Sequence, residues 1–232
     1  MHRLLYILKY LFLFFFFMSC NGQTKPIDKQ ALNLENFDFE TKFSTLIPDR
    51  NKVDIGYYEV KTTTLVADTI YGDGYFTPEE PLRIEYRRIM SSTGKTLAKF
   101  GNFKFNAFNL ITTIDGKMML VNALAQNISL EETQRFIKQT NEKYGEATKT
   151  IGEFMNESYD IFTWELEDRI IKYSIVHDDE SNALKFVVDE DNNTIREGEK
   201  VPHFNAYIYL IKKEYADEIM SKRGSGDLLY CK

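Results

Sequence analysis

Two residue types that carry much of protein chemistry are scarce in this chain. Its 232 residues include two cysteines, Cys20 and Cys231, and three histidines, His2, His177 and His203. There is no Cys-x-x-Cys pair and no His-Glu-x-x-His helix, so the compact zinc spacings are excluded. Basic residues are in deficit, 29 against 35 acids, for a formal net charge of −6. The basic stripe of a nucleic-acid binder is therefore absent. Long apolar runs are also missing. Residues 11–18 (LFLFFFFM) are the main one, and as a helix they reach only about 12 Å. A hydrocarbon core is about 30 Å thick and needs roughly 20 residues, and extension back to Leu4 is interrupted by Lys9. A spanning helix is excluded there.

What that segment does contain is an export signal. Residues 1–10 (MHRLLYILKY) carry Arg3 and Lys9 and no acid, the apolar run follows, and the small residue Ser19 precedes Cys20. A basic start, a short apolar core and a small residue at the cut describe a secretory signal peptide over residues 1–19. Phe17-Met18-Ser19-Cys20 resembles the lipobox of bacterial lipoproteins, in a looser version with Phe17 and Met18 ahead of Ser19. Cys20-Asn21-Gly22-Gln23 is similar to lipoprotein starts common in the Bacteroidetes group. The resemblance covers only about the first 25 residues. It implies cleavage before Cys20 and diacylation of that residue, so that the lipid bilayer is the first partner. Each buried methylene adds about 0.8 kcal/mol, and more than one acyl chain makes such anchoring stable. In lipoproteins of this kind an acid-rich stretch after the cysteine directs export to the cell surface. Residues 21–27 (NGQTKPI) contain no acid, which implies a periplasm-facing anchor.

Residues 1–19 hold two of the basic residues and none of the acids, so the remainder carries −8. It retains thirteen Phe, twelve Tyr and Trp164, ample surface for a packed core. With Cys20 taken by lipid, Cys231 has no partner and an internal disulfide is excluded. One residue from the end of the chain, it reads as a thiol on a loose tail.

Residues 20–35 lack a period and read as lipidated N-terminus and tether, residues 36–222 as a single domain, and residues 223–232 as a flexible tail. Strand signals fall on Gly56–Thr64, Leu82–Ile89, Leu97–Phe105, Ile161–Leu166, Arg169–His177, Leu184–Val188 and Ala206–Lys212. Phe108–Ala125 reads as a hairpin around Asp115-Gly116, a pair suited to a type I′ turn. Ser129-Leu130-Glu131-Glu132 reads as a capping box opening an amphipathic helix over about 129–144. Its stripe is Leu130, Thr133, Ile137, Thr140 and Tyr144, with Phe136 beside it, and Gly145 supplies the stop. A short final helix starts near Lys213 and ends before Gly224. The expected class is α+β, an antiparallel sheet with the central and C-terminal helices packed on one face. Whether the early strands extend that sheet or form a second one is open.

No motif completes a catalytic set. Ser92-x-x-Lys95 has the spacing of a penicillin-binding nucleophile but sits between strand signals and lacks its partner elements. Gly94-Lys95-Thr96 would need Gly at the place of Ile89 to make a phosphate loop. Asp189, Asp191 and Asn193 offer oxygens at alternate positions, as a calcium loop does, but Thr194 and Lys200 stand where Gly and Glu are required. That leaves a solvated turn, with a looser calcium site as the alternative. His177 followed by Asp178, Asp179 and Glu180 has the ingredients of a metal or general-base site, against the plainer reading of an imidazole on an acidic turn. Thr69, in Asp68-Thr69-Ile70, fits the short O-glycosylation pattern of Bacteroidetes envelope proteins. Tyr57, Tyr58, Tyr71, Tyr75, Phe76, Tyr86, Tyr207 and Tyr209 could form a stacking surface, although strand alternation sends half of them to the core. No cofactor is implied.

The leading expectation is a membrane-anchored periplasmic lipoprotein that is a non-enzymatic protein-binding module, of envelope-assembly or immunity type. Its partner is another envelope protein, and −8 suits a basic one. A glycan- or small-ligand-binding lipoprotein is the first alternative, and a hydrolase whose site is not local in sequence is the second.

Overall fold

Aromatic and β-branched residues dominate the middle of the chain, and in a pleated strand such residues serve both faces alternately. The computed structural model describes residues 25–72, 80–91, 94–155, 157–181, 184–189, 194–221 and 226–232. In chain order the first strands are β1 (Leu32–Asn33), β2 (Lys52–Asp54), β3 (Tyr57–Val60), β4 (Thr63–Tyr71), β5 (Pro81–Ser91), β6 (Ala98–Phe100), β7 (Phe103–Phe105) and β8 (Ala107–Thr113). Then come β9 (Met118–Ile128), β10 (Thr148–Phe154), β11 (Glu157–Glu165), β12 (Arg169–Asp178), β13 (Phe186–Asp189), β14 (Thr194–Glu197) and β15 (His203–Lys212). The α-helices are α1 (Phe43–Leu46), α2 (Leu130–Tyr144) and α3 (Ala216–Ser221). Ten strands make one sheet in the order β10-β11-β12-β15-β9-β8-β5-β4-β3-β2, with every neighbouring pair antiparallel. The early strands β2–β5 thus extend the main sheet, while β6 and β7 join β1 in a small sheet of their own. The class is α+β and mostly antiparallel β.

Both faces of the main sheet are buried. On β9 and β15, Val121, Ala123, Ile208 and Leu210 join one core, while Leu120, Leu124, Tyr209 and Ile211 join a second core on the other side. The first core lies under α2 and the N-terminal segment. Phe136 of α2 stacks on Tyr173 at 4.2 Å and meets Phe100, Phe103 and Phe105 edge-on. The second core is covered by α3, through Ala216 and Ile219, and by a 3₁₀ segment, Gly226–Cys231, that buries Leu228 and Cys231. The helices therefore sit on opposite faces rather than on one. Near-continuous burial along Met118–Ala125 and Ala206–Ile211 is the mark of a sheet covered on both sides.

Several expectations change in detail. Gly56–Thr64 and Leu97–Phe105 are not single strands. Each folds into a hairpin, where Lys61 and Gly101 take positive φ angles of 54° and 55°. The β8–β9 turn is not type I′, because only Gly116 has positive φ. Gly116 N–H donates to Thr113 O, and Thr113 N–H to Lys117 O, at 3.0 and 2.9 Å. That is a type I turn closed by a left-handed glycine, the usual three-residue hairpin loop. At α2 the Ser129 hydroxyl accepts from Glu132 N–H and the Glu132 carboxylate accepts from Ser129 N–H, so the capping box forms. Phe136 is the deepest apolar residue of α2, whereas Leu130 is exposed. Residues 27–35 are not a tether, since Ile27, Leu32 and Leu34 are fully buried and β1 pairs in parallel with β6. Nor is the C-terminus a free tail, as its packing against the second core shows. Cys20 lies outside the described residues, and among those residues no helix is long and apolar enough to cross a membrane.

Candidate functional site

The end of the sheet where β12 finishes and β15 begins gathers the polar side chains that the strands do not consume. Ten residue pairs join β12 to β15, from Arg169↔Lys212 to Asp178↔His203. Alternation then decides which face each side chain takes. Ser174, Val176 and Asp178 point to the second face, opposite Tyr207, Asn205 and His203. His177 points to the first face and meets the ring of Phe204 edge-on at 5.2 Å. His177 and His203 therefore stand on opposite sides of the sheet, and a zinc site using both does not form. Among the described residues no group of three or more His, Cys, Asp or Glu is arranged to hold a metal.

The turn after β12 is a knot of acid-to-backbone contacts. Asp178 accepts from Glu180 N–H at 2.9 Å and Asp179 from Ser181 N–H at 2.7 Å. The Glu180 carboxylate accepts from Val201 N–H at 2.6 Å, pairs with Lys185, and lies 3.5 Å from His203 Nδ1. The Lys185 ammonium, with that backbone donor, holds Glu180 below the usual carboxylate range. The Ser181 donors do the same for Asp179. These contacts clamp the base of the β13–β14 hairpin, which pairs only with itself. Phe186, Val188 and Ile195 share one face of it and are 65%, 62% and 69% exposed. Isolated two-stranded hairpins are marginal in water, and an uncovered apolar face on one is a departure from ordinary surface composition.

At the foot of the hairpin, on the second face, lies an open cleft of about 610 Å³. Glu157 of β11, Asp178, Asn205 and Tyr207 line it together with Tyr230 of the C-terminal segment. Tyr207 and Tyr230 stack on each other at 4.7 Å. Burial first, then the charges of Asp227 and Tyr230, pushes the Tyr207 phenol far above its ordinary range, so it stays a neutral hydroxyl.

Tyr230 is in place because its segment is wired to the sheet. Arg88 grips Asp227 with two hydrogen bonds, at 2.9 and 2.8 Å. Asn109 donates to the same carboxylate at 3.0 Å. Backbone carbonyls accept from Tyr209 (Asp227 O, 2.6 Å), Ser174 (Tyr230 O, 2.6 Å), Lys172 (Cys231 O, 2.6 Å) and Tyr159 (Lys232 O, 2.8 Å). Cys231 is buried rather than loose, and burial pushes its thiol up to about 11. Below this C-terminal strap, Gly226–Cys231, lies a buried ion pair, Arg83–Glu85, with both side chains 2% exposed.

Of the residues singled out from sequence, Asp178 and His177 border the cleft, although the His177 ring packs on Phe204. Asp189 ends β13, where its backbone pairs with Thr194, and Asp191 lies outside the described residues. Thr69 is exposed on β4 opposite Ile84. The tyrosines do not form one platform. Tyr86, Tyr207 and Tyr209 are buried, Tyr57 and Tyr71 are exposed on β3 and β4, and Tyr75 and Phe76 lie outside the described residues. Glu157, Asn205, Tyr230 and the Arg88–Asp227 pair escaped the sequence reading. The one local sign of that wiring was Asn109 and Asn122 inside apolar strands. Compared with known protein families, curated proteins and solved structures, the chain matches none.

Proposed function

We propose that this chain is a lipid-anchored, periplasm-facing bacterial envelope protein that acts without catalysis by binding another protein at the β13–β14 end of its sheet. The observation that carries the reading is the hairpin itself, with Phe186, Val188 and Ile195 uncovered on one face beside an acidic cleft. A partner that covers those side chains removes apolar surface from water at about 25 cal/mol per Å². The acidic cleft and the net charge of −8 left after cleavage before Cys20 select a basic partner and steer its approach. On the same reading α2 is the amphipathic cover of the far face, so the binding end and the core under α2 are separate jobs. Anchoring rests on Cys20, and Cys20→Ser is expected to accumulate as uncut precursor that leaves the detergent phase. Normal processing of that variant would remove the anchor from the reading. For the partner, a photo-crosslinking residue at Val188 is expected to capture one reproducible envelope protein in cells, and the same residue at exposed Thr69 on β4 is not. Equal yields from both positions, or none from Val188, would sink the docking reading.

A further inference from the structure

Four carboxylates, Glu157, Asp178, Asp179 and Glu180, line the cleft, and among the described residues no lysine or arginine does. Asp178 Oδ2 has His203 Nε2 at 3.6 Å and Asn205 Nδ2 at 3.4 Å, contacts at the long end of useful geometry. Glu157 has no ion-pair partner among the described residues, and the basic groups of the neighbouring turn are spent elsewhere. Lys185 is on Glu180, and Lys200 donates to Ser181 O at 3.0 Å. A group of acids alone would mean little. A separate observation concerns Tyr207, which is only 7% exposed, lines the cleft, and makes no hydrogen bond through its hydroxyl among the described residues. Beside it Asn205 Oδ1 is buried with no partner. Buried polar groups are nearly always paired, so Asn205 Oδ1 calls for a donor, and stacking on Tyr230 holds the Tyr207 ring in place. An occupant that completes the site carries positive charge and brings several donors. Ammonium has three and guanidinium five, and neither is an acceptor.

We propose that the cleft is a cation site that receives a lysine or arginine side chain from the partner, with its charged head between Asp178, Glu157 and the Tyr207 hydroxyl. The source of that side chain rests on the docking reading above; the chemistry of the site does not. The stem of such a side chain would run along the stacked rings of Tyr207 and Tyr230, as long cationic side chains do over apolar surface.

The test uses the full chain, ¹⁵N-labelled in detergent micelles and titrated with three probes: Nα-acetyl-lysine methylamide, its arginine analogue and its neutral norleucine analogue. Amide resonances of Ser158, Asp178, Asn205 and Tyr207 are expected to move with a cationic probe, less so at high salt, and to stay still with norleucine. The lysine and arginine arms separate the two heads. Glu157→Gln with Asp178→Asn is expected to weaken binding at least about tenfold. Tyr207→Phe keeps the ring and is expected to weaken binding about threefold, with an unchanged melting temperature. It guards against misreading a misfolded double variant. Equal responses to all three probes, no response at millimolar concentration, or full binding by a folded double variant overturns the site. If the site fails while cross-links from Val188 persist, the docking reading survives alone. If cross-links fail while the cation still binds, the site survives alone.

Discussion

On one face of the sheet Phe136 lies among the rings of Tyr173, Phe100, Phe103 and Phe105 and is held by contact area. On the other face the C-terminal segment is held by hydrogen bonds from Arg88, Lys172, Ser174, Tyr159 and Tyr209. The difference is one of tolerance. Apolar packing has no single direction and degrades in proportion to the volume removed. A polar clasp is directional, and each broken partner leaves another stranded in a dry site. The first arrangement suits a cover that stays; the second suits one that can come off as a unit. Because Tyr230 walls the cleft, the second face is also where the cleft and the C-terminal segment are coupled.

The comparison can be broken from either side. Phe136→Ala should have the largest effect, a global loss of about 3–5 kcal/mol measured by denaturant unfolding. A loss below about 1 kcal/mol would mean that the α2 face is not the main core. Asp227→Asn removes the charge that Arg88 grips and should cost about 2 kcal/mol. That loss is expected as local release of the strap, read by faster carboxypeptidase trimming while the unfolding slope is unchanged.

Gly152→Ala acts on the same strap indirectly. A Cβ there would stand 2.4 Å from Cζ of Tyr159, its cross-strand partner. The ring that holds Lys232 O must then shift, at a cost of about 1–2 kcal/mol. Thiol labelling should report it, with Cys231 reacting at least about tenfold faster in Gly152→Ala than in the parent chain. Labelling at the parental rate would uncouple Tyr159 from the strap.

Alkaline pH tests the strap without mutation. The folded-state thiol of Cys231 titrates near 11, above its ordinary value of 9.0, so folding favours the protonated form. That contribution is fully present below about pH 9 and is lost as pH rises through about 11. Cys231→Ala should flatten this part of the stability curve. The smallest stability effect is expected on the hairpin, where Val188→Ser should stay within about 0.5 kcal/mol yet abolish partner capture.

The strands were legible wherever a period repeats between near neighbours. Alternation located β5, β8, β9, β11, β12 and β15 to within a few residues, and the Ser129–Glu132 box located the start of α2. Breaks inside strands were not legible, because positive φ at Lys61 is a cost that pairing of β3 with β4 imposes. Cleft residues were legible in part. Asp178 stood out in an acidic run, whereas Glu157 and Tyr230 are 73 positions apart and meet only across the folded sheet.

By itself the sequence determined what neighbours impose on each other: the hairpin around Gly116, the cap at Ser129, and enough aromatic surface to demand a core. Tertiary structure decided which face each element covers, that residues 27–35 and 226–232 are packed rather than loose, and that one cleft collects its acids. The reason is range. A capping box closes over three residues, while Arg88 and Asp227 are 139 positions apart. Nothing in either one's neighbours encodes the other.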